Sequence, residues 1–289
     1  MSLLPEILFL TGDVDAARND NHERLPQAFS ALGWQVQVLS HEAVRIKNNQ
    51  ITIDQTRPNR FELIWLLGFG RQVTFFDRMQ ILRQLDQRRF VTTVDALMYL
   101  HGKHRWLKHM PETHTCADFE HLLSVVMQGG QWIVKPPAGS YGRQVQLVDG
   151  EHQARSALSQ FDNESDGGYC LVQRFIPQIV EGEKRTLVAG GQIIGAYLRI
   201  PNDQLLANVI ADGTIEKTSL SENEAELVHE IAQDLTTFGA GFAAIDIVYP
   251  YLIEVNVANP GGLATLGKLY GHDFAADAAR ALITRQHAL

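Results

Sequence analysis

The stretch 243–256 constrains the fold more than any other part of the sequence. It reads Ala-Ala-Ile-Asp-Ile-Val-Tyr-Pro-Tyr-Leu-Ile-Glu-Val-Asn, two apolar runs around a Tyr-Pro-Tyr turn. Such a pattern is typical of a β-hairpin. A three-residue loop would pair Val248 with Leu252 and would therefore set Asp246 opposite Glu254. The sequence thus predicts two carboxylates facing each other across neighbouring strands.

This hairpin is a candidate metal site. Side chains alternate along a strand, so Asn256 should share the face of Asp246 and Glu254. Paired carboxylates repel by roughly 0.2–1 kcal/mol or more, so we expect a positive group between them. Two carboxylates and an amide suit Mg²⁺ held against phosphates better than zinc. Solvated polar positions on a two-faced sheet are the alternative, but three such residues among apolar neighbours favour the metal.

Two lysines and a glycine-bearing turn are candidates for phosphate binding. Lys135 lies in the short apolar strand Trp-Ile-Val-Lys-Pro, where its ammonium must reach solvent or meet an anion. The turn 138–143 that follows is rich in backbone N–H groups and could fold over a phosphate. Lys103 would add a second positive charge. Taken singly, each lysine is most often a surface residue, but together with the carboxylates they indicate a nucleoside triphosphate.

Two arginines flank a hairpin whose turn is predicted at 190–191. Arg185 and Arg199 carry planar donors suited to carboxylate or phosphate. A regular two-residue hairpin would set them on opposite faces, so their joint action on one ligand requires a bulge or twist near Pro201. Surface ion pairs with Glu181 and Glu183 are the alternative interpretation.

The order of predicted elements indicates a mixed α/β and α+β protein. Residues 1–95 are predicted to form an open α/β unit, residues 96–167 a central unit, and residues 168–289 a C-terminal unit, with the polar linker 162–168 as the internal boundary. The predicted strands are 7–10, 35–39, 63–67, 131–136, 143–148 and 170–174, followed by hairpins at 190–191 and 243–257. The predicted helices are 22–32, 77–89, 96–107, 151–161, 222–238 and one from about residue 273.

Composition excludes several classes of function. The chain has 289 residues with 25 Lys+Arg and 33 Asp+Glu, a formal charge of −8, which argues against nucleic-acid binding as its main task. Two cysteines exclude a disulfide scaffold and favour a reduced, cytoplasmic setting. The longest apolar run is far shorter than the ~20 residues that span a bilayer, so we expect no membrane segment.

The ordered set of motifs resembles the ATP-grasp ligases, and within them prokaryotic glutathione synthetase. The motifs that carry the resemblance are Lys135 before a glycine-bearing turn, Val-Gln-Arg-Phe-Ile-Pro at 172–177, Gly-Glu-Lys-Arg at 182–185, Arg-Ile-Pro at 199–201, and Asp246 with Glu-Val-Asn at 254–256. The resemblance covers nearly the whole chain. It implies an ATP-grasp fold preceded by an open α/β (pre-ATP-grasp) domain, with the central unit acting as a lid.

The resemblance also implies roles for individual residues. ATP would be held by Lys103, Lys135, Gly139, Ser140, Tyr141, Gly142, Gln173, Arg174, Phe175, Ile176 and Glu183, with adenine at 173–176 and the ribose at Glu183. The transferred phosphate and the substrate carboxylate would meet Arg185, Arg199 and Asn208. Mg²⁺, with Mn²⁺ as a substitute, would be bound by Asp246, Glu254 and Asn256. The acceptor pocket would be lined by Gly261 and Gly262.

The implied activity is ATP-dependent peptide-bond formation through an acyl phosphate, from γ-glutamylcysteine and glycine or a related pair. Small peptides or amino acids would be the substrates, and a homo-oligomer is the implied assembly. The sequence departs from the family at 202–213, which is shorter than the family's arm, and after Asn256, so substrate identity is less specified than reaction type. A nucleotide-binding module without ligase activity, acting as a regulatory or binding protein, is the alternative.

Overall fold

The structure is a computed structural model that describes residues 4–12, 19–138, 144–161, 168–201 and 213–288. Within these residues the strands form a three-stranded, a four-stranded and a five-stranded sheet and a separate two-stranded hairpin. None of the described helices is both long and apolar enough to cross a membrane.

The N-terminal part is a small parallel sheet, as predicted. Its elements are β1 (Glu6–Thr11), α1 (Asn21–Ala31), β2 (Gln35–Ser40), β3 (Val44–Lys47), β4 (Gln50–Ile53), β5 (Leu63–Leu67) and α2 (Gln72–Leu82). Strand β1 lies between β2 and β5 and runs parallel to both. Every residue of β5 is buried, as expected for a strand covered on both faces. The β3–β4 hairpin was not predicted, and the helix predicted at 77–89 instead begins at Gln72 and ends at Leu82.

The helix predicted at 96–107 is broken into two pieces. An α-helix, α3 (Val94–Tyr99), is followed by a 3-10 helix at Lys103–His109. Gly102 lies between them with extended backbone angles, and the backbone N–H of Lys103 donates to the carbonyl of Pro137 at 3.0 Å. Because this N–H is used by a neighbouring segment, it cannot continue the helix. The break fixes Lys103 next to the end of the strand that carries Lys135.

The central part is an antiparallel four-stranded sheet. Its elements are β6 (Thr113–Cys116), α4 (Phe119–Val126), β7 (Trp132–Lys135), β8 (Gln146–Val148), α5 (Glu151–Leu158) and β9 (Cys170–Arg174), with strand order β6-β9-β7-β8. Strand β9 pairs with both β6 and β7. Strand β9 follows the boundary predicted at residue 167, yet it completes this same sheet. Strand β6 and helix α4 were not predicted.

The C-terminal part is an antiparallel five-stranded sheet with strand order β12-β11-β10-β13-β14. Its elements are β10 (Glu183–Ala189), β11 (Gln192–Ile200), β12 (Thr214–Lys217), α6 (Glu222–Thr237), β13 (Phe242–Val248), β14 (Tyr251–Asn256), α7 (Leu263–Tyr270) and α8 (Phe274–Ala288). A capping box starts α6, in which Ser221 and Glu224 satisfy each other's backbone N–H groups. Both predicted hairpins and the predicted helices of this part are confirmed.

A bulge in the β10–β11 hairpin brings the two arginines to one face. Ala189 pairs with Gln192 across a two-residue turn, but Glu183 pairs with Arg199 because the register shifts by one residue near Ile194. A one-residue shift reverses the face of every later side chain. The bulge that joint action of the arginines requires is therefore present, at the turn end of the strand rather than near Pro201.

A second bulge sets the register of the β13–β14 hairpin. Val248 pairs with Tyr251 and not, as predicted, with Leu252, because the turn has two residues instead of three. The register then shifts at Ile253, so that Asp246 does pair with Glu254. The prediction for the carboxylates is confirmed, although its assumed turn is wrong, because the extra residue lies in the strand.

The N-terminal and C-terminal sheets share their core. Trp65 of β5 contacts Phe242 of β13, with ring centroids 5.5 Å apart, and stacks on Phe9 of β1 at the same distance. Residues of both sheets form two common hydrophobic clusters, whereas the central sheet has its own cluster with α4 and α5. Packing thus joins the first and last parts of the chain, and the three-part division remains a prediction about sequence segments.

We expect Trp65→Ala to destabilise both outer sheets together. Trp65 is 1% exposed, and removal of a buried tryptophan typically costs about 3–5 kcal/mol. Hydrogen–deuterium exchange of peptides from β1 and β13 should show the same loss of free energy of opening. Val73→Ala, at a side chain that is 77% exposed, is the control and should change stability by less than about 0.5 kcal/mol. Loss of protection in β1 alone would show that the N-terminal sheet is an independent unit.

Candidate functional site

Asp246 is the centre of a charged row that crosses the C-terminal sheet. Arg185, Asp246 and Glu254 are Cα partners on β10, β13 and β14. The Asp246 carboxylate is 1% exposed and accepts from Arg185 through Nε at 2.7 Å and Nη2 at 2.6 Å. Arg199 Nη2 lies 2.9 Å from the same carboxylate. Burial opposes ionisation of Asp246, but the two guanidinium groups hold its pKa below the ordinary value. The positive charge expected beside the carboxylates is thus supplied by these arginines.

Glu183 belongs to the same charged group. It is 1% exposed and forms an ion pair with Arg199, its cross-strand partner. Burial raises the pKa of Glu183 against the opposing effect of Arg199. Its Oε2 has no hydrogen-bond partner among the described residues. The predicted contact of Glu183 with a ribose stays a prediction, and the structure adds that this carboxylate neutralises Arg199.

Lys103 joins the central and C-terminal sheets. Its Nζ donates to Glu254 Oε1 at 2.9 Å, while its backbone N–H binds Pro137, two residues beyond Lys135. The Lys103 side chain is buried and Glu254 is 23% exposed. Asn256 lies on the same strand face, with Nδ2 3.5 Å from Glu254 Oε2. The end of the lysine-bearing strand is thereby brought next to the carboxylates.

Lys135 is buried and begins a series of side-chain hydrogen bonds within the central sheet. Its Nζ donates to Gln173 Oε1 at 2.7 Å, and Gln173 Nε2 donates to Thr113 Oγ1 at 2.8 Å. Burial, together with the smaller effect of the Lys103 charge, lowers the pKa of Lys135 to about 7. No carboxylate is within ion-pair distance of Lys135 among the described residues. An anion at this position would therefore find a lysine whose charge is not yet balanced by a direct partner.

The remainder of the predicted adenine segment is held by the sheet. The Arg174 side chain contacts Glu112 and lies 3.6 Å over the Trp132 ring. The N–H groups of Arg174 and Phe175 donate to carbonyls of neighbouring segments. Ile176 is buried beside Ile179 in a small apolar cluster. A base would consequently meet the remaining backbone groups and the apolar side chains here rather than the Arg174 guanidinium.

The loop that carries Gly261 and Gly262 is fixed from two sides. Arg185 Nη1 lies 3.5 Å from the Gly261 carbonyl, and Asn21 Nδ2 donates to Asn259 Oδ1 and to the Pro260 carbonyl. Gly262 has φ 137°, and a Cβ there would lie 3.1 Å from the Tyr197 hydroxyl. A side chain at this position would be strained and crowded, so the loop passes close to the charged row only because residue 262 is glycine.

Five predicted residues lie outside the part of the chain that the structure describes: Gly139, Ser140, Tyr141, Gly142 and Asn208. The short arm at 202–213 is described only at Gly213. The assignments of these five residues remain predictions.

The sequence interpretation missed two residues that position parts of the site. Thr113 orients the amide of Gln173, and Asn21 anchors the loop before Gly261. Asn21 is 1% exposed although it lies in a polar stretch, Arg-Asn-Asp-Asn-His. Neither had a detectable signal, because each acts through a partner more than 50 positions away in sequence.

The donor set suits Mg²⁺ by its chemistry. Asp246, Glu254 and Asn256 offer carboxylate and amide oxygens on one face, and the buried Oε2 of Glu183 adds an oxygen without a partner among the described residues. Their carboxylates are engaged by arginine and lysine side chains. No group of three His, Cys, Asp or Glu residues within the described ranges is spaced to hold an ion by itself. Magnesium bound at these residues would therefore need phosphate oxygens as additional ligands.

Solved structures share this fold over nearly their whole length. The D-cycloserine synthetase DcsG has a TM-score of 0.72 at 17% sequence identity, over 97% of this chain and 99% of that one. The ATP-grasp ligase PsnB, complexed with a minimal precursor, has a TM-score of 0.70 at 16% identity, over 98% and 99% of the two chains. Identity this low establishes the fold alone. The molecule has the ATP-grasp fold, which confirms the predicted fold class.

Sequence comparison gives the family. The model of the prokaryotic glutathione synthetase ATP-grasp domain matches residues 102–271, more than half of the chain. Glutathione synthetase of Gloeobacter violaceus is 30% identical over 163 residues, 56% of this chain and 50% of that protein. That of a Nostoc species is 29% identical over 168 residues, 58% and 52% of the two. The match spans about half the length of these relatives. The chain belongs to the prokaryotic glutathione synthetase ATP-grasp family, which confirms the resemblance.

We expect nucleotide binding to take up a proton at Lys135. The pKa of this lysine is about 7 in the free protein, and a phosphate beside it would raise that pKa. Affinity for Mg-ATP should therefore fall as pH rises above about 7, where the free lysine loses its proton. Calorimetry at about pH 8 in buffers of different ionisation enthalpy should detect the uptake. In Lys135→Arg, which stays charged, the uptake should vanish. Uptake of equal size in wild type and Lys135→Arg would assign the proton to another group.

Proposed function

We propose that the protein is an ATP-dependent carboxylate–amine ligase that forms a peptide bond through an acyl phosphate. The observation that carries this proposal is the pair of contacts that Lys103 makes. Its side chain binds Glu254 at 2.9 Å and its backbone binds the segment after Lys135, so the end of the strand that carries Lys135 lies next to the carboxylates. A triphosphate with its metal needs this combination of cations and hard oxygen ligands in one place.

The charge balance of the site supports binding of a polyanion. Four cationic side chains, those of Lys103, Lys135, Arg185 and Arg199, accompany three carboxylates. The carboxylates neutralise the arginines and Lys103 by direct pairing, whereas no carboxylate of the described residues lies at ion-pair distance from Lys135. Incoming phosphate would add negative charge where the balance is positive. The charges of Lys103, Arg185 and Arg199 are paired before substrate arrives and need little reorganisation during reaction.

The proposed reaction requires no nucleophilic side chain from the protein. A carboxylate becomes a good acyl donor only after phosphorylation, and the amine of the second substrate is itself the nucleophile. The protein then has to align two substrates and neutralise charge on the transferred phosphoryl group. Arg185 and Arg199 are fixed by Asp246 at 2.7 Å and 2.9 Å and are suited to that task. Bound Mg²⁺ would supply further charge neutralisation at Asp246, Glu254 and Asn256.

We further propose γ-glutamylcysteine with glycine, or a related acidic peptide with a small amine, as the substrates. The family match and the relatives named glutathione synthetase support this choice. The loop at Gly261 and Gly262 lies beside Arg185 and would receive the acceptor. Solved neighbours include a D-cycloserine synthetase and a ligase complexed with a minimal precursor, so proteins of this fold differ in what they join.

We expect Glu254→Gln to abolish most ligation while the fold persists. Glutamine keeps an oxygen that accepts from Lys103, but it removes one negative charge from the proposed metal ligands. Turnover, measured as ADP release with Mg-ATP, short acidic peptides and small amines, should fall at least about 100-fold. The protein should stay folded but lose some thermal stability, because Glu254 pairs with the buried ammonium of Lys103.

Glu226→Gln provides the matched control, because Glu226 is exposed on α6 and should leave turnover unchanged. Near-normal ligation by folded Glu254→Gln protein would contradict the metal assignment. If the wild-type protein binds ATP but releases no ADP with any of these substrate pairs, the nucleotide-binding module without ligase activity is the correct function.

A further inference from the structure

The only two cysteines of the chain lie directly opposite each other. Cys116 ends β6 and Cys170 begins β9, and the antiparallel pairing of these strands makes the two residues Cα partners. They are 54 positions apart in sequence, so the fold brings them together. Directly opposite residues in an antiparallel pair point to the same side of the sheet.

Packing confirms that both side chains share one face. Cys170 is fully buried in the cluster formed by the central sheet with α4 and α5, and Cys116 packs against that cluster while half-buried. Cys116 Sγ lies 3.3 Å from the Asp118 carbonyl, and Cys170 Sγ lies 3.8 Å from the Lys135 carbonyl. Both thiols are free in the described structure.

The backbone hydrogen bonds between β6 and β9 show whether Cys116 and Cys170 form a hydrogen-bonded or a non-hydrogen-bonded pair. The N–H of Arg174 donates to the Glu112 carbonyl at 2.8 Å, which makes these two residues a hydrogen-bonded pair in the same register. Hydrogen-bonded and non-hydrogen-bonded pairs alternate, so Cys116 and Cys170, four positions along, are hydrogen-bonded as well. Cα atoms in such pairs are ~5.5 Å apart, inside the ~4.4–6.8 Å range of disulfides. Their Cβ atoms must approach somewhat, which makes the bond strained and easily reduced.

We propose that Cys116 and Cys170 form a reversible cross-strand disulfide when the protein meets a low-molecular-weight disulfide. The half-buried Cys116 thiolate attacks one sulfur of the reagent and releases one thiol, which leaves a mixed disulfide on Cys116. The Cys170 sulfur then attacks Cys116 Sγ, loses its proton and releases the second thiol. Two protein thiols are oxidised by two electrons, and one external disulfide is reduced to two thiols.

The bond acts on the strand that positions Lys135. Leu171 follows Cys170 and is the β9 partner of Lys135 on β7. Shortening the Cys116–Cys170 distance draws this end of β9 towards β6 and away from β7, and it removes the Cys170 thiol from the Lys135 carbonyl. Oxidation should therefore displace Lys135 and weaken nucleotide binding. This consequence rests on the proposed nucleotide site, whereas the disulfide itself does not.

Intact mass of the full-length protein tests the disulfide. After incubation with 2-hydroxyethyl disulfide, which carries no carboxylate, the wild-type mass should fall by two hydrogens and return after dithiothreitol. Cys170→Ala should stop at one mercaptoethanol adduct, and Cys116→Ser should remain unmodified because the other thiol is buried. A wild-type end product that carries an adduct, stays reduced or forms a linked dimer would overturn the proposal.

Calorimetry with Mg²⁺ and a non-hydrolysable ATP analogue tests the coupling. Oxidised wild type should bind about fivefold more weakly than reduced wild type, within the usual range of coupling between sites. Cys116→Ser should bind with the same affinity before and after the reagent. Equal affinities of oxidised and reduced wild type would refute the coupling. Absence of nucleotide binding in both forms would contradict the proposed function, and the mass measurement would still decide the disulfide.

Discussion

The buried carboxylate of Asp246 is the constraint on which the site depends. A charge that is 1% exposed in the middle of a sheet is costly unless cations reach it from fixed positions. Arg185 on the adjacent strand and Arg199 one strand further supply those cations. The sheet can provide both only if their side chains point to the same face. The bulge near Ile194 meets that requirement, and the bulge at Ile253 does the same for Glu254.

The second constraint is the contact that Lys103 makes between the central and C-terminal sheets. Lys103 follows a broken helix, and the break allows its backbone to bind Pro137 while its side chain binds Glu254. One residue that belongs to neither sheet therefore contacts both Glu254 and the segment that follows Lys135. A shift of the central sheet would alter the position of Lys135 relative to Asp246. This arrangement suits a site in which phosphate groups lie between a lysine-bearing sheet and a carboxylate-bearing sheet.

The alternation of side chains along strands, together with residue type, made the carboxylates and Lys135 predictable. Asp246, Glu254 and Asn256 stood out because each interrupts an apolar strand, and Lys135 stood out for the same reason. Bulges could not be predicted, because an extra residue in a strand leaves no mark on composition. The prediction of Asp246 opposite Glu254 was correct with the wrong turn for this reason.

Other features depend on distant contacts that the local sequence does not encode. The break before Lys103 is fixed by Pro137, and β6 is too short and polar to be recognised without its partner β9. Strand β9 itself was predicted correctly, but its place in the central sheet was not, since that place is decided by pairing with β7. The family and the fold could be named from the ordered motifs. The shared core of the outer sheets could not, because it joins Trp65 to Phe242.

Trapping of the activated acyl group tests the central claim most directly. The protein would be incubated with Mg-ATP, γ-glutamylcysteine or another short acidic peptide, and hydroxylamine in place of the amine. An acyl phosphate would react with hydroxylamine, so the account predicts a hydroxamate of the peptide in equal amount to ADP. Binding of ATP without ADP release or hydroxamate, for every carboxylate offered, would contradict the assignment of this site to acyl activation.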